Sequence, residues 1–174
     1  MSRRLSGLLW ARAAPRPSFI PKSRPRGAKA QGLRYERALA QALPQAIHGP
    51  WFEFCDRNGK GWCQPDLVLK QEGRIYVLEC KFTDTPAARV QLQQLYIPIL
   101  GQVFGLPVGG IVVCHTLTPE SGQYIITDSL PAALLAARGG ALPILHWLGH
   151  APLIPSLASP RPGQQIGLAQ PLPL

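Results

Sequence analysis

Apolar and polar positions change period repeatedly between residues 32 and 138, and each change predicts an element. Leu33, Glu36, Ala40 and Leu43 follow i, i+3, i+7 spacing, which predicts a helix over residues 32–43 with Glu36 on its inward stripe. Trp51-Phe52-Glu53-Phe54-Cys55 is rich in strand-forming aromatics and reads as a first strand, followed by a polar, glycine-bearing loop from Asp56 to Gln64. Residues 66–70 and 74–82 are β-prone runs joined by Gln71-Glu72-Gly73, a turn signal. Thr85-Pro86 is a helix start, with threonine at N-cap and proline at the first helical position, and this helix should end or kink near Pro98. Val108 to Leu117 is a short apolar run typical of a buried strand. Residues 123–127 predict a further strand, and Leu130 to Arg138 a short helix closed by Gly139-Gly140. The order predicts an α/β fold, a mixed sheet flanked by helices. No apolar run approaches the roughly 18 residues of a membrane span, so no membrane partner is expected.

The two runs around Gln71-Glu72-Gly73 carry the candidate chemistry. A turn centred on Glu72-Gly73 pairs Gln71 with Arg74 and, counting outward, Asp66 with Glu79. Cross-strand neighbours on one face lie roughly 4.5–5.5 Å apart at Cβ, so both carboxylates can share one ion. A slip of one residue would put them on opposite faces. Lys81, two residues beyond Glu79, projects from the same face. Tyr76, Leu78, Cys80 and Phe82 form the other face and look like core. Ile75 and Val77 make the active face apolar at its start, so this strand should be central and covered on both sides. Two carboxylates with a lysine offer oxygen ligands to Mg²⁺ or Mn²⁺ and a cation for a phosphate, the equipment for hydrolysing a phosphodiester.

Pro65-Asp66 followed by Glu79-Cys80-Lys81 resembles the PD-(D/E)xK nuclease superfamily, over roughly residues 32–116. The resemblance implies a restriction-endonuclease-like α-β-β-β-α-β core with a mixed sheet between helices. It implies that Asp66 and Glu79 bind the metal, that the Cys80 carbonyl adds a ligand, and that Lys81 assists the nucleophile. Many members place a glutamate on the preceding helix, and Glu36 suits that place as an auxiliary ligand. The exonuclease branch often carries Gln-x-x-x-Tyr on the helix after the lysine. Here the residue four before Tyr96 is Leu92, which departs from the pattern. Gln91, Gln93 and Gln94 remain as phosphate- or water-positioning groups, with Gln91 and Gln94 the stronger candidates.

Charge divides the chain differently. Of a net +9, almost all lies in residues 1–30, where Arg3, Arg4, Arg12, Arg16, Lys22, Arg24, Arg26 and Lys29 occur with no acid. With its prolines and serines this segment reads as a disordered basic arm that binds nucleic-acid phosphates. An Arg-rich, acid-free N-terminus also has the composition of a mitochondrial transit peptide, or of a plain solubilising tail. Residues 151–174 contain six prolines and one charge and read as a disordered tail. Residues 31–150 are then the nuclease-like domain. The four cysteines lack the spacing of zinc modules, although Cys55, Cys63, Cys114 and His115 can be written as a zinc set. Cys80 and Cys114 are expected in strand cores, as reduced thiols. His146 and His150 lack the glutamate that a metalloprotease helix needs.

The expected function is therefore a metal-dependent DNA endonuclease of one domain. With no separate specificity module it should recognise branched DNA or a Holliday junction, in recombination or repair. Such enzymes are usually two-fold dimers, and a homodimer stays open. The alternative is a non-catalytic DNA-binding or interaction module on the same fold. A cytoplasmic location in a prokaryotic or phage-infected cell is expected, with the mitochondrion as the alternative.

Overall fold

The computed structural model describes residues 4–20, 25–149 and 153. The chain forms β1 (Leu8–Ala14), α1 (Gly27–Ala42), β2 (Ile47–His48), β3 (Trp51–Asp56), β4 (Gly59–Cys63), β5 (Leu67–Gln71) and β6 (Arg74–Thr83). It continues through α2 (Pro86–Gln91), a π-turn (Leu92–Tyr96), α3 (Ile97–Phe104), β7 (Val108–Thr116), a 3₁₀ turn (Pro119–Gln123), β8 (Ile126–Thr127), α4 (Leu130–Arg138) and β9 (Ile144–His146). A six-stranded sheet runs β2-β5-β6-β7-β9-β8, and a three-stranded sheet runs β1-β3-β4. The larger sheet is mixed: β2, β5 and β6 are antiparallel, whereas β6, β7, β9 and β8 are parallel neighbours.

The β5–β6 hairpin has the predicted register, with Gln71 opposite Arg74 and Leu67 opposite Leu78. Its turn puts both Glu72 (φ 48°) and Gly73 (φ 71°) in the left-handed region, the primed geometry that matches strand twist. Residues 75–80 of β6 are all buried, as a central strand covered on both faces requires. On one face Tyr76, Leu78, Ile111 and Val113 meet Tyr35 and Leu39 of α1 and Ala133, Leu134 and Ala137 of α4. Gly109 in β7 allows this approach: a Cβ there would stand 3.0 Å from that of Ala137. On the other face Ile75, Val77, Val112 and Cys114 meet Leu92, Leu95 and Ile99, together with Phe52, Phe54 and Cys63 of the small sheet.

Three expectations need correction. The arm is not disordered between residues 8 and 14. It forms β1, antiparallel to β3, because Ala11 and Ala13 pair with Phe54 and Phe52 and complete the small sheet. A transit peptide removed after import would take this strand with it. The polar 56–64 loop is a hairpin: Asp56 accepts backbone N–H bonds from Asn58 (2.9 Å) and Ser6 (3.0 Å), holding the turn into β4. The first helix starts five residues earlier than predicted, and its buried stripe is Tyr35, Leu39 and Leu43; Leu33, Glu36 and Ala40 flank it. The predicted tail at 151–174 lies outside the described residues, save Leu153.

All four cysteines are free thiols. Burial pushes Cys63 and Cys114 up to about 12 and raises Cys80 as well. Iodoacetamide at neutral pH should therefore label the half-buried Cys55 first in the folded protein, and all four only after denaturation. Intact-mass spectrometry reads the difference; rapid native labelling of Cys63 would contradict this packing.

Candidate active site

Asp66 and Glu79 come together because Asp66 immediately precedes β5 and continues its register onto β6. One Asp66 oxygen accepts the Cys80 backbone N–H at 2.6 Å, which fixes the carboxylate against β6. Glu79 is buried (2% exposed), and its Oε1 accepts from Lys81 Nζ at 2.6 Å. Its second oxygen, Oε2, is buried without a hydrogen-bond partner. Lys81 is about one-third exposed (32%), so its ammonium reaches both the carboxylate and the open side.

Electrostatics mark the place as crowded with negative charge. Burial first, then the carboxylates of Glu79 and Glu36, pushes Asp66 well above the usual carboxylate range, against the pull of Lys81 and the Cys80 N–H. Burial likewise raises Glu79, outweighing its ion pair with Lys81. For Lys81, burial favours the neutral amine, but Glu79 and Asp66 together more than reverse that, and the ammonium is held.

A cleft of about 480 Å³ opens over Asp66 and Lys81, lined also by Cys80 and by Lys29, Gly32 and Glu36 of α1, with Glu79 buried behind it. Glu36 enters from the helix flank, and its Oε1 meets His48 Nε2 of β2 at 2.6 Å. His48 was not singled out in the sequence; its signal is visible only once β2 pairs with β5 and brings it beside α1. Among the described residues no three His, Cys, Asp or Glu side chains form a group that could hold a metal ion, which also removes the zinc set of Cys55, Cys63, Cys114 and His115. The donors fit a hard divalent ion in one respect: near Asp66, the second Glu79 oxygen is a buried oxygen ligand without a hydrogen-bond partner.

Gln91 and Tyr96 add a pair that residue counting had set aside. The helix widens into a π-turn over Leu92–Tyr96, just ahead of Pro98 where an end or kink was expected, and then runs on to Phe104. A π-turn brings residues five apart into line, as an α-turn does for four. Gln91 Nε2 accordingly donates to the Tyr96 hydroxyl, which donates to the Gln64 carbonyl at 3.1 Å, two residues before Asp66. Burial first, then the carboxylates of Glu79 and Asp66, raises the Tyr96 phenol and keeps it protonated. Gln94 is exposed.

Of the arm's described basic residues, Lys29 alone lines the cleft. Arg12 sits on β1 and donates to Glu53, and Arg16 donates to the Ile20 carbonyl at 3.2 Å. Arg4 and Arg26 are exposed, while Arg3, Lys22 and Arg24 lie outside the described residues. Also outside the sequence reading is the buried pair of Asp84 and Arg89 at the start of α2, held by Ser121. No helix among the described residues is long and apolar enough to cross a membrane. Comparison with protein-family models, curated proteins and solved structures gives no match, so the site stands on its geometry.

Proposed function

We propose that this protein is a metal-dependent nuclease of the PD-(D/E)xK kind, acting on DNA. The observation that carries the reading is the buried, unpartnered Glu79 oxygen, behind the Asp66 and Lys81 that line a cleft. Asp66, Glu79 and the Cys80 carbonyl would hold the ion, with Glu36 auxiliary. When bound, Mg²⁺ or Mn²⁺ supplies an acidified water and neutralises charge on the phosphate. The chain's own groups do the rest. Lys81 holds Glu79 in one orientation and presents donors toward the cleft, where they can steady a phosphate oxygen. Lys29, on the cleft wall, adds a second cation for the incoming backbone. The Cys80 N–H keeps Asp66 from rotating away.

Branched DNA remains the sharper substrate proposal for so small a chain. The Gln91–Tyr96 contact favours a second reading, cutting at a strand end, because it restores the glutamine–tyrosine pair through the π-turn. Incubation with Mg²⁺ and linear duplex, single-stranded, flap and four-way-junction DNA separates these. Internal cuts at the junction support the first reading and release of mononucleotides supports the second. No cleavage of any substrate with either ion leaves a non-catalytic DNA-binding module.

Glu36→Gln should retain partial activity. Its carboxylate is shared with His48, so losing its charge weakens one supporting interaction, a cost of roughly 10–100-fold in rate or metal affinity. Titrating the rate against Mg²⁺ checks this; an unchanged curve would remove Glu36 from the metal site.

A further inference from the structure

The outer face of the three-stranded sheet collects chemistry that the cleft does not use. Cross-strand pairing sets Trp10 beside Cys55 and Lys60, Arg12 beside Glu53 and Trp62, and Ala14 beside Trp51. Phe52, Phe54 and Cys63 alternate with these positions and point into the core, so the tryptophan set faces outward. Three of the chain's four tryptophans thus share one face, each only half-buried. Arg12 lies 5.6 Å and Lys60 5.9 Å from the centre of the Trp10 ring, and Phe19 stands edge-on to Trp62. The acid on this face, Glu53, is buried beneath Arg12, so the charge it shows to solvent is positive.

We propose that this face binds single-stranded nucleic acid, with bases stacking on the tryptophans and phosphates meeting Lys60 and Arg12. Indole faces spaced along neighbouring strands accept any base, and interleaved cations follow the backbone. A solubilising surface has no need of three indoles. Trp62 precedes Asp66 by four residues in the chain. The inference that the bound strand is the substrate rests on the nuclease reading; the binding face itself does not.

The test uses the full chain in chelator, where nothing is cut, with a fluorescein-labelled single strand and the matching duplex. Trp62→Ala should weaken single-strand binding about 5- to 150-fold, the loss of one stacked base, with Trp62→Phe restoring most of it. Lys60→Glu, at an exposed position, should also weaken binding and flatten the salt dependence, while melting temperatures stay at the wild-type value. Tryptophan emission should be quenched by the single strand. Unchanged single-strand affinity in both Trp62→Ala and Lys60→Glu would overturn the proposal, as would binding to phosphatidylglycerol vesicles without binding to the oligonucleotide. If wild type and Lys60→Glu cut DNA with equal kcat/KM, the inference that the bound strand is the substrate fails and the nuclease stands. If the face binds strands but no DNA is ever cut, the nuclease reading fails and the binding face stands.

Discussion

Asp66→Asn, Glu79→Gln and Lys81→Ala should each lower metal-dependent DNA cleavage by at least about 10²–10³-fold, the range for removing one preorganised electrostatic group from an active site. The chain should stay folded, and Asp66→Asn should melt higher than wild type in chelator. Asp66 carries the reason. Burial, Glu79 and Glu36 raise its folded pKa, so the native state holds a proton that the unfolded chain has already released. Its contribution to stability is therefore complete at low pH and is lost as pH rises from the unfolded carboxylate range through the raised value. Above the unfolded carboxylate range the raised pKa is a cost to the fold, and asparagine removes it while its carbonyl still accepts the Cys80 N–H. Wild type should recover that stability on adding Mg²⁺, and the variant should recover less. Cleavage rates and thermal denaturation with and without Mg²⁺ measure both effects. Near-normal cleavage by Asp66→Asn would sink the assigned site.

That trade between stability and chemistry was legible in part from residue order. A two-residue turn with Glu72-Gly73 at its centre has one compatible strand register, so the placement of Asp66 beside Glu79 followed from local rules. The turn and the helix over Leu130–Arg138 are local features, with their own stop signals, and the observed helix has those bounds. The features that went unseen are non-local. β1 became a strand through pairing with β3 some forty residues away, although its composition is that of a basic tail. β4 contains two glycines and gains its order from Phe52 and Phe54 across the hairpin. Glu36 was placed inward on a stripe counted from Leu33, whereas the buried stripe runs through Tyr35 and Leu39 and leaves Glu36 at the rim of the cleft. The π-turn was invisible to period counting, since one inserted residue looks like a broken motif until the backbone is seen to absorb it.

The same non-local origin explains why the largest expected loss of stability lies at Arg89. Asp84 and Arg89 are 1% and 3% exposed, and one guanidinium nitrogen donates to both Asp84 oxygens, at 2.9 and 2.8 Å. Ser121 donates to Asp84 at 2.7 Å, and the Arg89 guanidinium lies 3.8 Å from the centre of the Tyr124 ring. The cluster ties the start of α2 to the end of β6 and to the 3₁₀ turn, while the Asp84 N–H bonds the Thr116 carbonyl of β7 at 2.9 Å. Removing one partner leaves the other charge buried without compensation, so Arg89→Ala should cost about 3–5 kcal/mol. Asp84→Ala should fall in the same range, since the guanidinium already has one nitrogen, Nε, without a partner. Replacing both residues by apolar side chains of similar volume should recover much of the loss, because neither charge is then stranded. Urea denaturation of the two single variants and the double variant measures this as shifts in midpoint at constant slope. Losses below about 1 kcal/mol in both single variants, the value of an exposed ion pair, would mean that water reaches the cluster and that it does not anchor the helix bearing Gln91 and Tyr96.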